Sequence, residues 1–121
     1  MTRSSRHRVE RLAALIRESI AEALATQVKD PRIGFVTVTR VTVSPDVSHA
    51  TVRVSVMGTE DQKDSSMAGL DHARGFLRTY LARSLELRAA PELHFVLDRG
   101  LENASRIDTI LSQIKREERG P

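Results

Sequence analysis

A chain of 121 residues with a net charge of only +3 has room for one modest hydrophobic core and no second. It holds no cysteine, which excludes disulfides and thiolate chemistry. Its isoelectric point of about 9.9 comes with so small a cationic excess that basic character must sit in local patches rather than in a polycationic tail.

The first element is a helix. Val9, Leu12, Ile16, Ile20, Ala23 and Leu24 recur at helical spacing, which predicts a helix from Arg6 to Val28 with one packed stripe. Arg8, Arg11, Glu18 and Glu22 lie on its solvated face, and Ser4 and Ser5 are candidate N-caps. Five arginines fall between Arg3 and Arg17. The apolar run from Leu12 to Ile16 is nevertheless too short for a signal sequence and is stopped by Arg17 and Glu18. Nothing reaches the length of a membrane span, and a cytoplasmic protein is expected.

The segment Lys29 to Asp46, KDPRIGFVTVTRVTVSPD, then breaks the helix, turns and launches a strand. Asp30-Pro31 stops the helix, because proline lacks an N–H and biases its predecessor away from the α region. The β-branched run that follows predicts a strand from Phe35 to Val43. Ser44-Pro45-Asp46 turns the chain into a second strand, His49 to Met57, where Ala50, Val52, Val54 and Val56 alternate with Thr51, Arg53 and Ser55. One apolar face and one polar face predict an antiparallel hairpin covered by helices on a single side.

Gly58 to Ser66 reads as a polar, acidic loop. A helical region from Ser66 to Leu87 follows, with Met67, Leu70, Ala73, Leu77, Leu81 and Leu85 as its buried stripe. Gly75 near its middle costs about 1 kcal/mol relative to alanine and predicts a bend between Ala73 and Gly75. Pro91 precedes a third strand, Leu93 to Leu97, expected to lie parallel to the second because a helical crossover joins them. A last helix is predicted from Asn103 to Arg116, with a charged tail from Lys115 to Pro121.

The motifs KDPRIGFVTVT, VSPD, Ala73-Arg74-Gly75 and APELHFVLD from Ala90, in this order, closely resemble the ribosome-binding factor A family. These are bacterial assembly factors for the small ribosomal subunit. The resemblance implies an α+β fold: one type II KH-like domain spanning residues 1–121, with its core at about 6–114. Its order would be α-β-β-αα-β-α, with a three-stranded mixed sheet and helices on one face. It implies a monomer that binds the immature 30S subunit and 16S rRNA and promotes maturation of the rRNA 5′ end. No cofactor, metal or membrane is implied.

KH domains that clamp single-stranded RNA use a GXXG loop between two helices, and this chain has none. The family's Ala-x-Gly kink stands there instead and presents side chains at a corner. Arg74 and Arg78 lie one turn apart on one face, and Arg83 and Arg88 continue the basic character. Guanidinium forks suit phosphate. The expected RNA-binding set is therefore Arg6, Arg8, Arg11, Lys29, Arg32, Arg74, Gly75, Arg78, Arg83 and Arg88. For any one arginine a solvated surface position is the simpler reading; Arg74 could pair with Asp71, for example. Phe76 and Tyr80 read as core or half-buried residues.

An enzyme is not expected. His7, His49, His72 and His94 are scattered, with no helical His pair for zinc, and His94 is expected on the polar sheet face. No P-loop, nucleophile elbow or dinucleotide fingerprint is present. The competing class is a domain that chiefly binds another assembly or translation protein, with incidental RNA contact.

Overall fold

The structure, a computed structural model, describes residues 3–100, without the side chains of Arg3 and Ser4. The predicted C-terminal helix and charged tail lie outside the described residues. Helix α1 runs Arg3–Thr26, strand β1 Val36–Val43 and strand β2 His49–Val56. Helix α2 runs Glu60–His72, helix α3 Arg74–Ser84 and strand β3 Glu92–Leu97.

The sheet has the order β1-β2-β3. β1 and β2 pair antiparallel, with a bulge between Val38 and Arg40, while β2 and β3 pair parallel. Over the described residues the sequence order and the mixed sheet are those expected. The alternation in β2 decides which face is covered: Ala50, Val52 and Val54 are fully buried. They meet Ile16, Ile20 and Ala23 of α1, Leu70 of α2, and Leu77 and Leu81 of α3 in one core. The opposite face carries mostly polar side chains, and among the described residues no element covers it.

Two boundaries differ from expectation, and a third falls inside its predicted interval. α1 already includes Ser4 and Ser5, so neither serves as its N-cap. The acidic stretch after β2 is the first turn of α2, not a loop. Thr59 accepts a hydrogen bond from Gln62 N at 3.2 Å, and Gln62 Oε1 accepts one from Thr59 N at 2.7 Å. This reciprocal cap starts the helix, and Glu60 and Asp61 suit the positive end of its dipole. The α2–α3 break sits within the predicted interval, but at Ala73. Its ψ of −3° departs from the helical value of about −42°, while Gly75 is an ordinary member of α3.

The other connections are locally specified. Asp46 Oδ1 accepts from Ser44 Oγ at 2.7 Å, Ser48 N at 3.1 Å and Ser48 Oγ at 2.7 Å. These bonds hold its carboxyl down at about 2, below its ordinary value of 3.8. After α3, Glu86 adopts a φ of 53°. Leu87 N then reaches Ala82 O at 2.9 Å, closing a Schellman-type end with glutamate in the position glycine usually fills.

Candidate nucleic-acid interface

The loop after α1 is fastened to α2 by Ser66, which is almost fully buried. Its hydroxyl accepts from Gly34 N at 3.1 Å and donates to Arg32 O at 3.3 Å. Gly69, one turn on, removes the side chain that would otherwise meet the loop, since a Cβ there would stand 2.7 Å from Ile33 Cγ1. The KDPR corner is thereby pressed against the α2–α3 break. Gln27 to Arg32 line a hollow of about 440 Å³ together with His72, Ala73 and Phe76. Phe76 is 49% exposed and stacks obliquely on Tyr80, with ring centroids 6.4 Å apart. An exposed aromatic beside Lys29 was not anticipated from its helical spacing alone.

The other side of the break carries Arg74, Gly75 and Arg78 beside Asp71, Glu92 and Leu93. Arg78 Nη2 donates to Ala90 O at 3.0 Å, which steadies the side chain and leaves other guanidinium donors outward. Among the described residues, no ion pair or side-chain hydrogen bond engages Arg74, and the possible pair with Asp71 does not form. Gly75 has open space where a Cβ would stand. The backbone at the start of α3 is therefore approachable.

Arg32 is differently placed. Its guanidinium donates to both carboxylate oxygens of Asp30, at 2.7 Å from Nη2 and 3.1 and 3.3 Å from Nε, and its amide donates to Asp30 Oδ1 at 2.9 Å. The Arg32 hydrogen bonds hold the Asp30 carboxyl down at about 2. In turn, Asp30 raises Arg32. The Nε and Nη2 edge of the fork expected to meet phosphate is engaged inside its own loop, while Lys29 is exposed and, among the described residues, has no ion pair.

The predicted arginines do not form one surface. Ser19 Oγ contacts Ser84 Oγ at 3.1 Å near the end of α3, whereas Val28 lines the same hollow as Phe76 near its start. α1 and α3 thus run antiparallel. The helical rise puts Arg8 roughly 27 Å from Thr26, so Arg6, Arg8 and Arg11 form a second basic region far from the break. They are exposed and, among the described residues, unpaired. Nine residues beyond Arg74 on one helix, Arg83 projects roughly 180° away from it. Arg88 is exposed on the α3–β3 connection.

Across β2 and β3 the open sheet face presents no Phe, Tyr or Trp. His49, Thr51, Arg53, Glu92, His94 and Val96 occupy it across β2 and β3, and Phe95 points the other way. Among the described residues no helix is long and apolar enough to cross a membrane.

The comparisons with known proteins agree with this architecture. Residues 8–111 match the family model described as ribosome-binding factor A. A ribosome-binding factor A from Thermomicrobium roseum is 44% identical over 111 residues, 92% of this chain and 86% of that one. That from Heliobacterium modesticaldum is 47% identical over 109 residues, 90% of each. Among solved structures, the crystal structure of ribosome-binding factor A from Thermus thermophilus superimposes with a TM-score of 0.68 at 29% identity, covering 76% of this chain and 97% of that one. A Thermus thermophilus ribosome-binding factor A homology model fitted into a cryo-EM map of its 30S complex gives a TM-score of 0.60 at 31% identity, covering 71% and 90%. The helix–KDPRIG–hairpin arrangement, the break at Ala73 and this agreement over nearly the whole length lead to one conclusion: the chain belongs to the ribosome-binding factor A family.

Proposed function

We propose that this protein binds the small ribosomal subunit as a single KH-like domain and, by holding one conformation of 16S rRNA, promotes maturation of its 5′ end. The observation that carries the reading is the pairing of family membership with outward, unpaired cations at the α2–α3 break. A relative of the same fold has been fitted into a 30S complex. Here Lys29, Arg74 and Arg78 surround the break with the approachable backbone of Gly75 between them. Cations without an ion pair in the free protein have none to break when they meet phosphate, and guanidinium forks bind it with charge-assisted hydrogen bonds.

Work of this kind needs no bond-making group. A protein that binds one rRNA conformation more tightly than another shifts their populations by its differential affinity. Trimming of the precursor would then fall to separate nucleases acting on a better-presented substrate. Arg6, Arg8 and Arg11 would supply a second phosphate contact region, remote from the first along α1.

The test is cosedimentation of the full chain with purified small subunits across a salt series. Replacing Arg74 and Arg78 together by glutamine should weaken binding. On a single-stranded site it should also lower the log–log salt slope by up to roughly 0.7 per lost contact. A folded double variant with unchanged affinity and slope would move the site to α1. If the Arg6, Arg8 and Arg11 triple variant were also unchanged, a salt-insensitive protein partner would replace RNA as the chief ligand.

A further inference from the structure

The parallel register of β2 and β3 sets His49 opposite Glu92 and Thr51 opposite His94. Odd positions of β2 and even positions of β3 share the open sheet face, so three donor side chains converge where the two strands begin. His49 Nδ1 lies 2.9 Å from His94 Nε2 and 3.6 Å from Glu92 Oε2. One ligand atom from each of the three residues falls within 4.8 Å of the others. A zinc ion with bonds of about 2.0–2.1 Å holds neighbouring tetrahedral ligands roughly 3.3 Å apart, a value between the two short distances here.

We propose that His49, Glu92 and His94 bind a divalent transition-metal ion of the zinc type. Two imidazoles and one carboxylate make a borderline-soft donor set, which favours zinc, copper or nickel over magnesium and calcium. Two neutral imidazoles facing each other at hydrogen-bond distance satisfy one lone pair with the other ring's proton. A metal ion engages both facing lone pairs together with the carboxylate, and the proton that lay between the rings moves to the other nitrogen of its own ring, so both imidazoles bind as neutral ligands. The three residues stand on paired strands rather than on a loop. Glu92 N donates to Ser48 O at 2.9 Å and the preceding Pro91 is fully buried, so the backbone beneath the ligands is fixed. Their side chains face solvent, with His49 and Glu92 52% and 59% exposed, which leaves further coordination positions to water. The ion would clip the start of β3 to the start of β2.

The test uses the full chain without a histidine tag, titrated with zinc chloride near neutral pH. Histidine side-chain nitrogen resonances and thermal unfolding are followed together. The expected result is one ion per chain, with perturbation of His49 Nδ1 and His94 Nε2 but not of His7 or His72. The unfolding temperature should rise with zinc concentration, because the ion binds the folded chain only. His94→Gln and Glu92→Gln, both at exposed positions, should each weaken zinc binding by about tenfold or more while circular dichroism shows the fold retained. Comparable shifts at all four histidines, or a smaller loss in both variants, would overturn the assignment.

Discussion

Two glycines on the α2–α3 crossover should respond to the same substitution with opposite sign. An alanine in place of a helical glycine gains about 0.5–1 kcal/mol, by better helix propensity and a less disordered unfolded chain. At Gly75, among the described residues, nothing beyond its chain neighbours and its own helix backbone stands within 4 Å of the new methyl group, so Gly75→Ala should realise that gain. At Gly69 the methyl would lie 2.7 Å from Ile33 Cγ1 and 3.4 Å from Arg32 Cβ. Neither atom is the free tip of a flexible chain; both are held near the backbone that Ser66 fastens to α2. Forcing such a contact costs about 1–3 kcal/mol, and subtracting the propensity gain leaves a net loss of about 1 kcal/mol. The two variants should therefore differ by about 1.5–2 kcal/mol. Urea unfolding at constant m-value measures this directly. If Gly69→Ala proved as stable as Gly75→Ala, the close approach of α2 to the KDPR corner would not be the reason for that glycine.

Other outcomes follow from single contacts. Asp30 and Asp46 both titrate near 2 when folded, against an ordinary 3.8. Their stabilisation is therefore present above 3.8 and lost as pH falls toward about 2. Asp30→Asn and Asp46→Asn should each flatten the acid limb of a plot of unfolding midpoint against pH. Asp30→Asn also releases the Arg32 fork, so subunit binding should tighten and become more salt-dependent, as salt-series cosedimentation would show. Glu86→Gly should raise stability by about 1 kcal/mol in urea unfolding, because the left-handed conformation carries a penalty for any residue with a Cβ.

The elements with unbroken periodicity were legible in the sequence. The α1 stripe ending in Ile16, Ile20 and Ala23 and the alternation of β2 are carried by residues whose spacing alone dictates which face packs. The start of α2 was legible in principle, since Thr59 and Gln62 stand at capping-box spacing, but the surrounding acids disguised it as a loop. The α2–α3 break was legible as an interval, because a glycine interrupts a continuous apolar stripe, but its exact place at Ala73 was not. Site residues were harder. Nothing in the order Asp30-Pro31-Arg32 says that the turn folds the guanidinium back onto its neighbour. Helix length alone could have separated Arg8 from Lys29. The meeting of His49, Glu92 and His94 depends on the parallel register, which the crossover suggests in direction but not in alignment.

The position of β3 has a consequence for how the sheet assembles. β1 and β2 are joined by a short turn stitched by Asp46, so their pairing closes a small loop at little entropic cost. β3 can join β2 only after the chain has travelled through α2, the break and α3. Its Leu93, fully buried, completes the core from a distant part of the chain. Such non-local closure is the slow kind. The hairpin and its covering helix are therefore expected to form first, with β3 docking last. As an edge strand, β3 is expected to exchange its amide hydrogens before the central β2 does.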